Sequence, residues 1–341
     1  MVACALGGGP HSTTHVKAGC MKRYVLRRIL SGVLTVAVVF AINFIIIHLA
    51  PGDPVTTLMG PNTDDPAMRA ALEEKYGLNE PLIVQFFAYL GTALSGDLGT
   101  SYIYNRPVTD MIAERVGATV LLGLIAYGIA AVVGTVAGIV AAKREGKAFD
   151  VAFSGGVYVA SSMPSFWLGL MLIILFSSTL GIFPSYGMVS VRTNYEGAQY
   201  VADVAMHMVL PVVTLIIVLI PEYFRIGKSS MLQALNEEYV TTLRATGMSQ
   251  RRIYGKYVFR NAILPTVTLL GIQVAYLITG VTLIEIVFSW PGMGRLIMTA
   301  ITQRDYPTLM GVYLVMSICV AVVMLVIDLL YAALDPRIRY E

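Results

Sequence analysis

Six stretches of this chain are apolar for long enough to cross a hydrocarbon layer, and no other feature limits its fold as strongly. They fall at residues 29–50, 118–142, 164–182, 207–224, 262–288 and 309–333. About 20 helical residues bridge the roughly 30 Å core of a bilayer. In that core no water reaches a stray N–H or C=O, so a spanning segment of this kind closes its own hydrogen bonds as a helix. Composition agrees: 56% of residues are hydrophobic, only 13% are charged, and mean hydropathy is +0.71, against about a quarter charged in soluble domains. The expected fold is all-α, a polytopic membrane protein with six transmembrane helices. Pro164 lacks a backbone donor and bends or breaks a helix. Residues 151–163 are therefore read as a short separate helix or as the first turns of the third span.

Orientation follows from Lys and Arg, which are retained on the cytoplasmic side of short loops. The first group is Lys22, Arg23, Arg27 and Arg28, and the second is Lys143, Arg144 and Lys147. The third is Arg244, Arg251, Arg252, Lys256 and Arg260, and the tail adds Arg337 and Arg339. Six crossings place all four groups on one side, so both termini are expected in the cytoplasm. Residues 51–116 hold nine acidic against four basic residues, which suits the outer face. The expected organisation is an unstructured extension at 1–20, a cytoplasmic lead-in with the first span at 21–50, and an extracytoplasmic region at 51–116. A five-helix core at 117–335 follows, with a cytoplasmic loop at about 228–261, and the tail is 336–341. The apolar run after Met21 is long and lacks a small-residue cleavage site before Pro51, which argues against a cleaved signal peptide.

Candidate chemistry is sparse. Cys4, His11, His15 and Cys20 match no ligand spacing, and Cys319 reads as a small core residue. His48 and His207 belong to no catalytic grouping. "GKSS" at residues 227–230 resembles the end of a phosphate-binding loop, but Glu222 stands where the earlier glycine is required, and an apolar helix precedes it rather than a strand. No catalytic residue, metal or cofactor is assigned to the chain. Glu285 and Asp328 stand out as ionisable groups in spans, each costing roughly 2.5–3.5 kcal/mol if central. Each is read either as facing a gated interior or as a charge that reaches the interface.

The polar stretch 236–265 has more structure than a plain loop. Leu232, Leu235, Tyr239 and Leu243 recur at helical spacing and give an amphipathic first helix. Gly247 follows where a left-handed residue ends a helix, and Ser249 is placed to cap a second one. That second helix carries Arg252, Lys256 and Arg260 on one face, with Ile253 and Tyr257 on the next. A basic amphipathic elbow of this kind fits either lipid headgroups or a protein partner.

"EEYVTTLRATGMSQRRIYGKYVFRNAILPTVT" resembles the cytoplasmic loop of ABC-importer permeases of the dipeptide, oligopeptide and nickel branch. Tyr239, Thr242, Arg244, Ala245, Gly247, Arg260, Asn261, Ala262 and Pro265 match the pattern. The wider superfamily has Glu-Ala-Ala ahead of the glycine, whereas this chain has Thr241-Thr242-Leu243, so no charged contact is carried over there. "APGDP", "YGLNEPL", "GDLGTSY", "SMPSFWLG", "VFSWPGMGRL", "RDYP" and "DLLYAALDPRIR" extend the resemblance, in order, over nearly the whole chain after Met21. A Pro-Gly-Asp-Pro after the first span resembles the first of the two paired permeases.

The resemblance implies a type I importer permease, an N-terminal helix added to a five-helix core, which forms half of a pathway for peptides across a prokaryotic inner membrane. Nickel complexes and glutathione-like solutes are the alternatives within that architecture. It implies a second permease, two ATP-binding subunits that hold ATP and magnesium, and an extracytoplasmic solute-binding protein, with no nucleic-acid partner. It places an ATPase-coupling loop at Glu238, Tyr239, Thr242, Arg244, Ala245, Gly247 and Arg252. Two other classes compete. An ion-coupled secondary transporter needs mid-membrane ionisable groups and often an internal repeat. An intramembrane hydrolase needs a nucleophile with its base at membrane depth, and neither pattern is visible.

Overall fold

The computed structural model describes residues 13–49, 53–59, 65–191 and 195–334, and among them there is no β-strand. Five helices are long and apolar enough to span: Val25–Leu49, Val108–Lys143, Gly197–Leu235, Gln250–Ala275 and Tyr306–Leu329. A sixth crossing is made if the pair Ala148–Ser162 and Ser165–Thr179, bent by 102°, is one span. The bend lies at Met163, extended at φ −87° and ψ 127°, followed by Pro164. Proline drives the residue before it out of the helical region, so residues 151–162 belong to a separate helix, the first of the two sequence readings, and are the first half of a broken span where the pair crosses as one. Contacts divide the chain into two units, Met1–Thr109 with Ala300–Glu341, and Asp110–Thr299.

In the first unit, helix α1 (Thr13–Leu49) lies along helix α16 (Tyr306–Leu334). The helical backbone starts inside the stretch expected to be unstructured, as propagation from a long apolar helix favours. Residues 1–12 and the tail after 334 lie outside the described residues. Arg28 on α1 pairs with Asp328 on α16 at 3.1 Å, both side chains partly exposed. That is the interfacial reading of Asp328. Helices α2 (Pro54–Met59), α3 (Pro66–Tyr76) and α4 (Leu82–Leu94) follow α1. Phe86 and Tyr89 of α4 pack on Phe40 at 5.4 and 5.7 Å between ring centres. His48 stacks on Phe44 at 4.0 Å and acts as a helix contact.

Two of the short landmarks prove to be one joint. Buried Asp305 of "RDYP" accepts hydrogen bonds from Ser101 Oγ at 2.5 Å, Thr308 Oγ1 at 2.7 Å and the Tyr102 N–H at 3.0 Å, which fixes "GDLGTSY" onto the start of α16.

The second unit packs helix α5 (Val108–Lys143, from Asp110), α7 (Ser165–Leu172, extended by a wide turn to Thr179) and α8 (Gly197–Leu235) around a shared core, while α6 (Ala148–Ser162) packs through Phe153 and Val157 on a second cluster with Ala137, Ala141 and Phe224. Leu122, Ala126, Tyr127, Leu210, Leu215, Ile284, Phe288 and Trp290 are buried there. Close helix approach comes from small residues. A Cβ on Gly138 of α5 would strike the Phe224 carbonyl oxygen and come within 2.8 Å of the Lys228 nitrogen on α8.

Glu285 has a structural task. It sits in helix α14 (Thr282–Val287), fully buried. Its carboxylate accepts from Thr119 Oγ1 at 2.5 Å, the Gly294 N–H at 2.7 Å and the Arg295 N–H at 3.2 Å. Thr119 Oγ1 in turn accepts the Met293 N–H at 2.8 Å. The first three N–H groups of helix α15 (Met293–Gln303), which have no intrahelical partner, are thus all satisfied, and the negative charge sits at the positive end of the helix dipole. Both sequence readings of Glu285 give way to this one: the charge neither lines an open interior nor reaches the interface.

Glu285→Leu removes the acceptor of all three donors, at about 1–3 kcal/mol for each left unsatisfied. The melting temperature of the detergent-solubilised chain is expected to fall by several degrees, whereas Thr119→Ser, which keeps the hydroxyl, holds it near that of the parent chain. Fluorescence-detected thermal denaturation reads both.

Candidate functional site

The polar stretch folds into a compact knob between two spans. Helix α8 ends at Leu235, and helix α9 (Glu238–Ala245) starts after Asn236 and Glu237. The apolar stripe expected for one helix is therefore shared: Leu232 and Leu235 belong to the last turns of α8, Tyr239 and Leu243 to α9. All four pack on one buried cluster that includes Met231, Val240, Ile253 and Val258. Helical spacing carried the pattern across the break because both helices bury their apolar sides in the same core.

The turn after α9 is built on Gly247, whose φ is +77°. The Gly247 N–H donates to the Arg244 carbonyl at 3.0 Å and the Met248 N–H to the Leu243 carbonyl at 3.2 Å. This paired closure is the Schellman arrangement, and it comes with its usual apolar contact, since Met248 and Leu243 pack on the same cluster. Nothing crowds a Cβ at Gly247, so the backbone conformation alone favours glycine there.

Ser249 starts the second arm differently from expectation. Its carbonyl accepts the Arg252 and Ile253 N–H groups at 3.0 and 3.1 Å, and its hydroxyl makes no capping bond. The arm is a turn of helix α10 (Gln250–Arg252), a wide π-turn at Ile253–Val258 and helix α11 (Phe259–Ala262). In an α-helix two residues five apart point about 140° from each other. The i→i+5 geometry turns both inward, and Ile253 and Val258 are each fully buried. Tyr257, expected beside Ile253, is only half-buried. Helix α12 (Leu264–Ala275) continues the arm with Pro265 in its first turn, where no intrahelical donor is needed. Gln250–Ala275 is one apolar helix long enough to span, so the fifth span starts within the second arm and ends at Ala275, earlier at both ends than the expected 262–288.

The predicted residues gather on this knob. Glu238 is exposed in the first turn of α9 and Arg244 in the last, each with the sign the helix dipole favours. Thr242, Ala245, Gly247 and Arg252 are exposed as well. Tyr239 is half-buried, and its hydroxyl accepts a hydrogen bond from Asn261 Nδ2 at 3.2 Å, which ties the first arm to the second.

The knob's footing involves residues that no motif marked. Asp150 of α6 pairs with Lys228 of α8 and also accepts from the Gly146 N–H and Ser154 Oγ, both at 3.1 Å. Lys228, tested in sequence as part of a phosphate loop, is instead one half of a helix–helix ion pair. Lys143, at the end of α5, lies 5.1 Å from the centre of the Tyr254 ring. Asp150 follows the charged run 143–147 and Lys228 stands beside Arg225, Ser229 and Ser230, so neither stood out in the sequence. Another acid, Glu222, lies within α8 and accepts a hydrogen bond from Gln273 Nε2 of α12 at 2.8 Å.

Lys228→Met leaves the nearly buried Asp150 carboxylate without its cation and is expected to lower the melting temperature, because an unpaired buried charge is costly. The charge swap Asp150→Lys with Lys228→Asp is expected to recover part of the loss. Thermal denaturation of the two variants beside the parent chain decides it.

Residues 134–340 match the family described as "Binding-protein-dependent transport system inner membrane component". Residues 21–123 match the one described as "Binding-prot-dependent transport system membrane comp, N-term". The oligopeptide transport system permease protein AppB of Bacillus subtilis is 35% identical over 321 residues, covering 94% of this chain and 100% of that protein. The dipeptide transport system permease protein DppB of Escherichia coli K12 is 34% identical over 338 residues, covering 94% and 100%. The glutathione transport system permease protein GsiC of Escherichia coli O6:H1 is 35% identical over 326 residues, with the same coverage. Among solved structures, the inward-facing MetNI methionine ABC transporter aligns with a TM-score of 0.50 at 18% identity, over 67% of this chain and 97% of that one. The last likeness is one of fold.

Proposed function

The chain belongs to the family of binding-protein-dependent transport system inner membrane components, the membrane-spanning permeases of ABC importers, and we propose that it forms half of an ATP-driven import pathway for peptides. The knob at residues 236–262 carries the reading. Its buried side is continuous with the cores of two spans, while Glu238, Thr242, Arg244, Ala245 and Gly247 stand free on the other side. A contact surface rigidly joined to spanning helices can turn a push from outside the membrane into motion inside it.

In this reading the knob docks into one of two ATP-binding subunits, and closure of those subunits draws it inward. Its second arm runs unbroken into the span Gln250–Ala275, so displacement of the knob tilts that span directly. A second, homologous permease completes the pathway, and a solute-binding protein delivers cargo to the outer face, where residues 51–116 lie. Both termini and the knob face the cytoplasm, in keeping with the clustering of Lys and Arg. ATP and magnesium are held by the partners. Peptides are the first choice because AppB and DppB are named as oligopeptide and dipeptide permeases. GsiC favours glutathione, itself a tripeptide, as a second reading.

The test is reconstitution of the whole assembly in liposomes, with uptake of a labelled dipeptide and of glutathione measured beside ATP hydrolysis. Gly247→Val forces a β-branched residue into a left-handed turn. It is expected to leave membrane insertion intact and ATP hydrolysis running, while uptake falls by about tenfold or more. Normal uptake by that variant would remove the knob from the transport cycle, and glutathione transport without dipeptide transport would move the cargo to the second reading.

A further inference from the structure

A polar pair lies in the spanning part of the second unit, away from the tip of the knob. Glu222 falls near one end of the apolar run 207–224, and its partner Gln273 lies inside the apolar run 262–288. The carboxylate is half-buried, and among the described residues no Lys or Arg forms an ion pair with it. Gln273 of α12 donates to it. Tyr223, the next residue along α8, is fully buried, and its hydroxyl has no hydrogen-bond partner.

The neighbouring backbone is irregular. After α12 the chain departs from helical φ and ψ at Tyr276 and forms the short helix α13 (Leu277–Gly280) before α14, with bonds kept from the Gly280 N–H to the Tyr276 carbonyl and from the Val281 N–H to the Leu277 carbonyl. At Gly280 a Cβ would collide with the hydroxyl of Tyr127 on α5, so glycine leaves that hydroxyl its room. A half-exposed carboxylate without an ion-pair partner in this part of the protein fits an interior or an aqueous path, which intramembrane acids face.

We propose that Glu222, with Gln273, is a station on the translocation pathway that receives the positively charged amino terminus of the passing peptide. This rests on the reading of the chain as a peptide permease. The acceptor set fits a monovalent ammonium, whose N–H groups find the carboxylate and the carbonyl of the Gln273 amide. It does not fit a divalent metal, for no group of three His, Cys, Asp or Glu side chains occurs among the described residues. A single solvated carboxylate also binds weakly enough to release its cargo, as conduction requires.

The test uses the complete assembly in liposomes, with a labelled dipeptide and its N-acetyl counterpart each loaded onto the solute-binding protein and its occupancy measured separately. Glu222→Gln keeps the shape and the Gln273 contact but removes the charge. It is expected to lower the maximal uptake rate of the free-amine peptide about tenfold, to leave the N-acetyl peptide unchanged, and to spare ATP hydrolysis. Glu222→Asp is expected to recover most of the rate. Equal slowing of both peptides, or of neither, overturns the proposal. So does failure of a water-soluble thiosulfonate to label Glu222→Cys at any stage of the ATP cycle, in a chain whose three native cysteines are serine. Should the parent assembly import neither peptide, the underlying peptide reading falls first, and this station with it.

Discussion

No water reaches the hydrocarbon core of a bilayer, so every polar group placed there has to find its partner inside the protein. The second unit can be followed from that constraint. Its helices satisfy their own backbones, and where a helix ends or breaks, another group takes over. The open N-terminus of α15 is met by Glu285 and Thr119, a charge and a hydroxyl from two other helices. The turn between α5 and α6 is closed by Asp150, whose own charge is met by Lys228. In the first unit Asp305 does the same for the loop around Ser101 and Tyr102. Each scarce charge holds a place where regular hydrogen bonding stops.

The same economy explains why the knob can be rigid where its first arm leaves the spans. Its turn closes its own carbonyls through Gly247 and Met248, its apolar side is buried against the ends of α5 and α8, and its two arms are stitched by Tyr239 and Asn261. Polar surface is left over only on the side that faces away from that core. In the docking proposed above, a surface of this kind needs no reorganisation before it meets a partner, which keeps the ordering cost of association small.

Local signals in the sequence were read well. The apolar runs located four of the spans and part of the fifth, which lies at Gln250–Ala275 rather than at 262–288; Pro164 marked the bend, and Gly247 marked the left-handed turn, because each of these depends on a residue and its near neighbours. Features that depend on distant partners were not visible. Glu285 looked like a candidate for gating until the N–H groups nine and ten residues further on were seen to converge on it. The stripe Leu232–Leu243 looked like one helix because spacing does not register a break when both segments face the same core. The π-turn escaped because its period is neither that of a helix nor that of a strand, and it moved Val258 into the place expected for Tyr257. Glu222 was weighed only as the wrong residue for a phosphate loop, since its partner Gln273 is 51 residues away.

The crease at Met163 and Pro164 has a consequence for how the bent helix pair can deform. Its two segments keep separate ladders: the Met163 N–H closes the first on the Ala160 carbonyl, the Leu168 N–H belongs to the second on the Pro164 carbonyl, and neither bond crosses the crease. A straight helix that flexes has to stretch several of its internal bonds at once. Here the angle can open or close by rotation at a residue already in extended geometry, with neither of those bonds lost. The pair is jointed in its backbone, and side-chain packing is what resists its movement.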